Sequence, residues 1–289
     1  MKLASFLSDE GAVTIGAVLE GGIVNLADTL PRMPRDMIGF IEGGAPLLEQ
    51  ARQAALCGNP QPICSVRLLA PILRPPEFLG VGLNYRDHAR EAHLEIPVEP
   101  LIFNKQTSCI VGPGDDIVKP AGSDQLDYEG ELGIVIGKAG RSLSLGQAIA
   151  AIYGYIVVND VSVRDWQFKS STHTLGKSFD THGPIGPWIA TADEVPDANN
   201  LTIATTVNDE VRQRGTTADM IFDCPQIVAF LSKVMTLRPG TIVTTGTPAG
   251  VGSCRRPPVY LRVGDRVIVD IPGVGRLANQ VIGESGGSH

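Results

Sequence analysis

One eleven-residue stretch, 127–137, constrains this chain more than any other: Asp127-Tyr128-Glu129-Gly130-Glu131-Leu132-Gly133-Ile134-Val135-Ile136-Gly137. Its second half is continuously apolar, the mark of a strand covered on both faces rather than of a water-facing edge. Residues i and i+2 of a strand share a face, so Glu129 and Glu131 point the same way and Gly130 leaves the opposite side bare. A second run of the same character, Tyr155-Ile156-Val157-Val158, ends in Asn159-Asp160. An E-x-E pair alone can be a solvated strand face; buried acids, by contrast, need partners. If Asp160 converges on the two glutamates, three carboxylates share one pocket. Two like charges about 4 Å apart repel by roughly 4 kcal/mol at an effective dielectric near 20, so such a cluster calls for a proton or a cation. With all-oxygen donors that cation is Mg2+ or Mn2+ before zinc. Only five histidines occur and there is no H-E-x-x-H, so an imidazole-rich site is not expected.

Many strands with helices inserted between them, rather than alternating with them, predict an α+β fold around a mixed sheet. Strands are expected at 79–83, 101–104, 132–136, 153–159, 188–191, 201–207, 241–244 and 266–271. The clearest helix is 224–235, where Ile227, Val228, Phe230, Leu231 and Val234 form one stripe and Pro225 suits a first turn. Residues 1–70 read as a small α/β subdomain. It would have strands at 12–19 and 23–26 about Gly21-Gly22, then a partly periodic helix from Met37 to Ala55 broken at Gly43-Gly44. A proline-rich linker at 71–77, a main unit at 78–284 and a tail at 285–289 complete the expected organisation.

A net charge of −7 and a pI near 5.3 argue against nucleic acid or an anionic membrane as partner. No apolar run approaches the 18 or so residues of a membrane span. The first seven residues are too short an apolar stretch for an export signal, and Asp9 and Glu10 cut it off. Five cysteines without a CxxC pair fit a reducing compartment, and a cytoplasmic location is expected.

His88 and Glu91 stand three apart. On a helix they share a face, where the carboxylate can orient the imidazole and raise its basicity; the alternative is an exposed polar helix. Lys177, after Gly176, reads by itself as a surface cation.

Five blocks resemble the fumarylacetoacetate hydrolase family: 82–91 (Gly-Leu-Asn-Tyr-Arg-Asp-His-Ala-Arg-Glu), 127–137, 159–165 (Asn-Asp-Val-Ser-Val-Arg-Asp), 176–180 (Gly-Lys-Ser-Phe-Asp) and 244–252 (Thr-Thr-Gly-Thr-Pro-Ala-Gly-Val-Gly). The resemblance implies a rolled, barrel-like β architecture, commonly homodimeric, with Mg2+ or Mn2+ held by Glu129, Glu131 and Asp160. It implies that His88 and Glu91, on a lid, activate water, and that Lys177 reaches the metal site and substrate. Arg164 and Gln167 would hold a substrate carboxylate and keto oxygen, and Thr247 a further substrate contact. Asn159 and Asp165 would orient ligands or serve as turn or cap residues. The implied substrate is a small 2-oxo or 2,4-dioxo acid, and the expected reaction is hydrolysis of the carbon–carbon bond of an acylpyruvate through an enolate. Decarboxylation of oxaloacetate or a related 2-oxo diacid is the alternative, followed by isomerisation or hydration in aromatic or sugar-acid catabolism. A non-catalytic metabolite-binding role stands apart from these. Acylpyruvate-cleaving members can carry arginine where this chain has Leu83, so substrate preference does not transfer directly.

Overall fold

The run after Glu129 forms the middle of the molecule. In the computed structural model, which describes residues 1–284, all seven residues of the strand Gly130–Ile136 are buried. The tail expected at 285–289 lies outside the described residues. Gly130–Ile136 pairs antiparallel with Ile152–Asn159 on one side and with Ile242–Thr244 on the other. The register sets Gly130 opposite Asn159 and Glu131 opposite Val158, and the chain turns just beyond so that Asp160 N–H donates to Glu129 O at 2.8 Å. Pairing alone therefore delivers the third acid to the first two.

Around this centre an eleven-stranded sheet runs in the order Gly22–Asn25, Val13–Leu19, Lys2–Leu7, Gly183–Thr191, Ile152–Asn159, Gly130–Ile136, Ile242–Thr244, Phe78–Gly82, Leu101–Lys105, with two short strands attached off this path. It is mixed, since Ile242–Thr244 runs parallel to Phe78–Gly82. A second, five-stranded sheet orders Glu210–Thr216, Thr202–Val207, Arg266–Ile271, Gly275–Gly283 and Ile117–Lys119. Neither sheet closes on itself. The strands of the first seventy residues extend the larger sheet through pairing of Lys2–Leu7 with Gly183–Thr191. Ile72, in the proline-rich segment after them, is buried.

Alternation along the central strands divides the core. Ile134, Ile136 and Val157 pack with Ile203, Val269 and Leu277 of the smaller sheet and with Ile227, Val228 and Leu231 of the helix Cys224–Val234. Val135, Ile156 and Val158 face the other way, onto Phe40, Ile41 and Ala51 of the leading helices. Each such aliphatic side chain contributes about 1.5–3 kcal/mol by leaving water. Gly130 shows how close the layers are: a Cβ there would lie 2.1 Å from Thr205 Oγ1.

The helix after Asp223 begins where the sequence places it. Asp223 accepts from Gln226 N–H at 2.8 Å and Gln226 Oε1 accepts from Asp223 N–H at 2.9 Å, a reciprocal capping box. The leading helical stretch is split at Gly43 into Met37–Glu42 and Gly44–Cys57. Gly183–Thr191 starts five residues before the expected 188, because Gly183-Pro184-Ile185-Gly186-Pro187 reads as turn punctuation although all five residues are buried strand. Lys2–Leu7, Glu210–Thr216 and Gly275–Gly283 are strands that the pattern did not reveal. Among the described residues no helix is long and apolar enough to cross a membrane.

Candidate metal centre and its cavity

Glu129, Glu131 and Asp160 each offer a carboxylate oxygen, and the three oxygens lie within 4.8 Å of one another, all buried. Asp127 sits beside them, fully buried. Four acids thus face three buried cations. Lys177 Nζ bridges Glu129 (2.8 Å) and Asp160 (2.7 Å). Lys105 Nζ binds Asp160 at 2.7 Å and also donates to the carbonyls of His182, at 3.0 Å, and of Lys177. Arg164 reaches Glu129 at 2.6 Å through Nη1 and Asp127 at 2.9 Å through Nε. Four negative and three positive charges leave one negative charge over.

The carboxyl left without a counter-charge is that of Glu131. Among the described residues no cation pairs with it, and it accepts from Gly246 N–H at 2.8 Å. Burial, followed by the neighbouring Asp160 and Glu129, pushes its carboxyl well above the ordinary range. Burial pushes Glu129 the same way, but Lys177 and Arg164 outweigh it and hold Glu129 at about 2. Lys177 is driven down by burial and more strongly up by Asp160 and Glu129, so its ammonium is held above its usual range. The site therefore contains one carboxyl that must take a proton or a cation. Three carboxylates at this spacing fit a hard divalent ion. Gly246 is built for its part: its φ of +90° is open to glycine, and a Cβ would meet Asn84 Cβ at 2.9 Å and Val81 O at 3.1 Å.

The centre opens on a cavity of about 440 Å³ that Glu129, Glu131, Arg164 and Lys177 line together with His88 and Gln167. Its apolar walls include Leu83, Leu94, Leu101 and Phe168. Leu83 takes a left-handed φ of +54°. Arg164 Nη1 donates to Gln167 Oε1 at 2.8 Å, whereas Arg164 Nη2 is buried with no hydrogen-bond partner among the described residues. An orphaned guanidinium N–H costs about 1–3 kcal/mol unless something pairs with it, and a carboxylate is its natural complement.

His88 and Glu91 lie on the helix Arg86–Glu91, with His88 Nδ1 3.4 Å from Glu91 Oε2. Glu91 also accepts from Gly250 N–H at 2.9 Å, tying the helix to the glycine-rich loop. Burial raises its carboxyl, but His88 and Gly250 win and leave it lowered. Of the nine residues singled out by sequence, five form the buried cluster, Glu129, Glu131, Asp160, Lys177 and Arg164, and half-buried Gln167 joins it through Arg164. His88 lines the cavity, with Glu91 beside it on the same helix. Thr247 lines it too, but its hydroxyl donates to Gly130 O at 2.9 Å and accepts from Gln213 Nε2 at 2.7 Å, so it braces the strand that carries Glu131. Asn159 Oδ1 accepts from Glu129 N–H at 3.1 Å, while Asp165 accepts from Ser123 Oγ at 2.6 Å.

Three further residues of the site were not singled out. Lys105, 1% exposed, ends the edge strand Leu101–Lys105, whose mixed exposure gave no signal that its lysine turns inward. Asp127, first residue of the acidic motif, accepts from Arg164, Gly252 and Ser253 at 2.8–2.9 Å. His173 lines the cavity with Nδ1 3.2 Å from Gln167 O, and nothing in its sequence neighbourhood marks it.

Residues 77–282 match the family described as fumarylacetoacetate (FAA) hydrolase, C-terminal. The chain belongs to this family. It is 43% identical over 265 residues to the human protein named oxaloacetate tautomerase FAHD2A, mitochondrial, covering 91% of this chain and 84% of that one. Among solved structures, a fumarylacetoacetate hydrolase from psychrophilic Exiguobacterium antarcticum superposes with a TM-score of 0.85 at 38% identity, covering 98% of this chain and 100% of the other. Maleylpyruvate hydrolase from Sphingobium sp. SYK-6, solved in complex with manganese(II) ion and pyruvate, superposes at 0.83 with 32% identity, covering 99% and 100%.

Proposed function

We propose that this member of the fumarylacetoacetate hydrolase family is a divalent-cation-dependent enzyme acting on small 2-oxo acids through their enol or enolate form, with keto–enol interconversion of oxaloacetate as its reaction. The observation that carries this reading is the uncompensated Glu131 among three carboxylates within 4.8 Å. Glu129, Glu131 and Asp160 would hold Mg2+ or Mn2+, and the manganese in the maleylpyruvate hydrolase relative supports that choice. Such an ion supplies Lewis-acid stabilisation of negative charge developing on a keto oxygen. The chain's own residues do the rest. Arg164, with its free Nη2, binds the substrate carboxylate beside Gln167. Lys177 holds Glu129 and Asp160 in place and keeps its positive charge next to the reacting oxygens. His88, oriented by Glu91, moves the proton to and from the carbon next to the keto group. The apolar walls exclude water from the remainder of the substrate.

The name of the 43%-identical relative supports oxaloacetate tautomerisation as this chain's reaction. Hydrolysis of a 2,4-dioxo acid is the second reading, favoured by the His88–Glu91 pair, which could equally activate water. We also propose a homodimer, on family grounds. The experiment is a panel: relaxation of oxaloacetate enol to its keto form, release of pyruvate from acetylpyruvate, and loss of carbon dioxide from oxaloacetate, each with Mg2+ and with Mn2+. Accelerated relaxation without pyruvate release supports the tautomerase. Pyruvate release at a greater rate supports the hydrolase, and buffer rates throughout refute both.

A further inference from the structure

Beside the proposed proton-transfer pair lies a third ligand-type side chain that this reaction does not use. Cys254 ends the short helical turn Gly252–Cys254, lines the cavity and offers Sγ to His88 and Glu91 so that all three ligand atoms fall within 4.8 Å of one another. Its neighbours fix it. Gly252 and Ser253 N–H are pinned by buried Asp127 at 2.8 and 2.9 Å, and Cys254 N–H donates to Val251 O at 3.2 Å. Glu91 is fastened to the same loop by Gly250. The His88 Nδ1 to Glu91 Oε2 separation of 3.4 Å is long for an N–H···O bond, which centres near 2.9–3.0 Å. Of the three separations this one matches the edge of a zinc tetrahedron, about 3.3–3.7 Å at the bond lengths zinc takes to nitrogen, oxygen and sulfur; the other two lie within 4.8 Å.

We propose that His88, Glu91 and Cys254 form a second metal site, selective for a thiophilic cation such as Zn2+ and distinct from the all-carboxylate centre. A thiolate, an imidazole and a carboxylate are the ligand types of zinc, whereas three carboxylates suit magnesium or manganese. All three residues are partly exposed, so the cavity leaves a fourth position for water. Binding releases the Cys254 thiol proton to solvent as sulfur takes the metal. If the proposed role of His88 is right, occupancy removes the proton-transfer group, and the site inhibits turnover while leaving the first metal in place.

The test begins with full-length protein stripped by chelator and reloaded with one Mn2+ per chain, followed by calorimetric titration with ZnCl2 while bound Mn2+ is read by electron paramagnetic resonance. One zinc per chain should bind with manganese retained. Loss of outer-sphere partners alone weakens metal binding by about 10–100-fold, so Cys254→Ser should lower zinc affinity at least tenfold and leave manganese affinity unchanged. Co2+ in place of zinc should give a sulfur-to-metal charge-transfer band in the parent that Cys254→Ser lacks. Zinc that only exchanges for manganese, or a Cys254→Ser protein that binds zinc as tightly as the parent, overturns the proposal. These readouts need no substrate, so failure of the proposed reaction would leave them standing.

Discussion

Replacing Glu131 by glutamine separates the two consequences of an uncompensated buried carboxylate. In the metal-free protein, ionised Glu131 would face Glu129 and Asp160 with oxygens within 4.8 Å. One such pair repels by about 3.5 kcal/mol at 4.8 Å and an effective dielectric near 20. That figure is an upper bound, because Glu131 escapes by keeping a proton. The sign comes from linkage: its folded-state carboxyl is raised above the unfolded one, so the stability that its proton provides is present at low pH and is lost as pH rises through the folded value. Glu131→Gln lacks that loss. In chelator at pH 8 the variant should therefore melt higher than the parent, by a few degrees at roughly 2–4 °C per kcal/mol, and the difference should shrink towards pH 5. Saturating Mn2+ should reverse the order, since a cation at 100 times its Kd stabilises the parent by about 2.7 kcal/mol and the variant has lost a ligand. Thermal unfolding followed by circular dichroism, with and without Mn2+ at both pH values, reads all of this. A variant less stable than the parent in chelator at pH 8 would show that Glu131 is satisfied without a cation and would refute the reasoning.

His88→Ala should lower enol-to-keto relaxation and acetylpyruvate cleavage by about 10²–10⁴-fold with manganese affinity retained, as stopped-flow rates and calorimetry would show; equal turnover in both proteins would remove His88 from the proton path. Lys105→Met removes a buried partner of Asp160 and should cost about 3–5 kcal/mol in urea unfolding, with a near-parent midpoint counting against its role. Glu129, held at about 2 by Lys177 and Arg164 against burial, contributes stability present above its unfolded value near 4.5 and lost as pH falls towards 2; Glu129→Gln should flatten that acid limb of the melting curve. Light scattering at micromolar concentration should return twice the 30.6 kDa chain mass, and a monomer would refute the proposed dimer.

The parts of this molecule legible in its sequence are those where a local pattern and a tertiary demand coincide. Acids on an apolar strand were readable because burial forces them into company, and the strand register then brought Asp160 to Glu129 and Glu131. The helix after Asp223 carried its own start signal. Lys105 escaped notice because a lysine ending a strand is ordinarily at the surface, and only the three-dimensional path makes Asp160, His182 and the backbone of Lys177 its neighbours. Gly183–Thr191 was read short because prolines and glycines that usually mark turns here lie within a buried strand. Glu210–Thr216, an edge strand rich in charge, lacks the apolar alternation on which such readings depend. The apolar walls around Leu83 and Phe168 were likewise invisible, since they join segments far apart in the chain. The motifs could not choose among tautomerisation, hydrolysis and decarboxylation because these reactions share an enolate and the same charged residues.

The central claim is that turnover depends on one divalent cation held by Glu129, Glu131 and Asp160. The most direct measurement is the relaxation rate of oxaloacetate enol, monitored by its ultraviolet absorbance as Mn2+ is returned in steps to chelator-treated protein. The rate should climb until one Mn2+ per chain is bound and then level, with Glu131→Gln remaining at the buffer-plus-manganese rate over the same range. A parent protein equally active in chelator, or a Glu131→Gln variant that tracks the parent's curve, would contradict it.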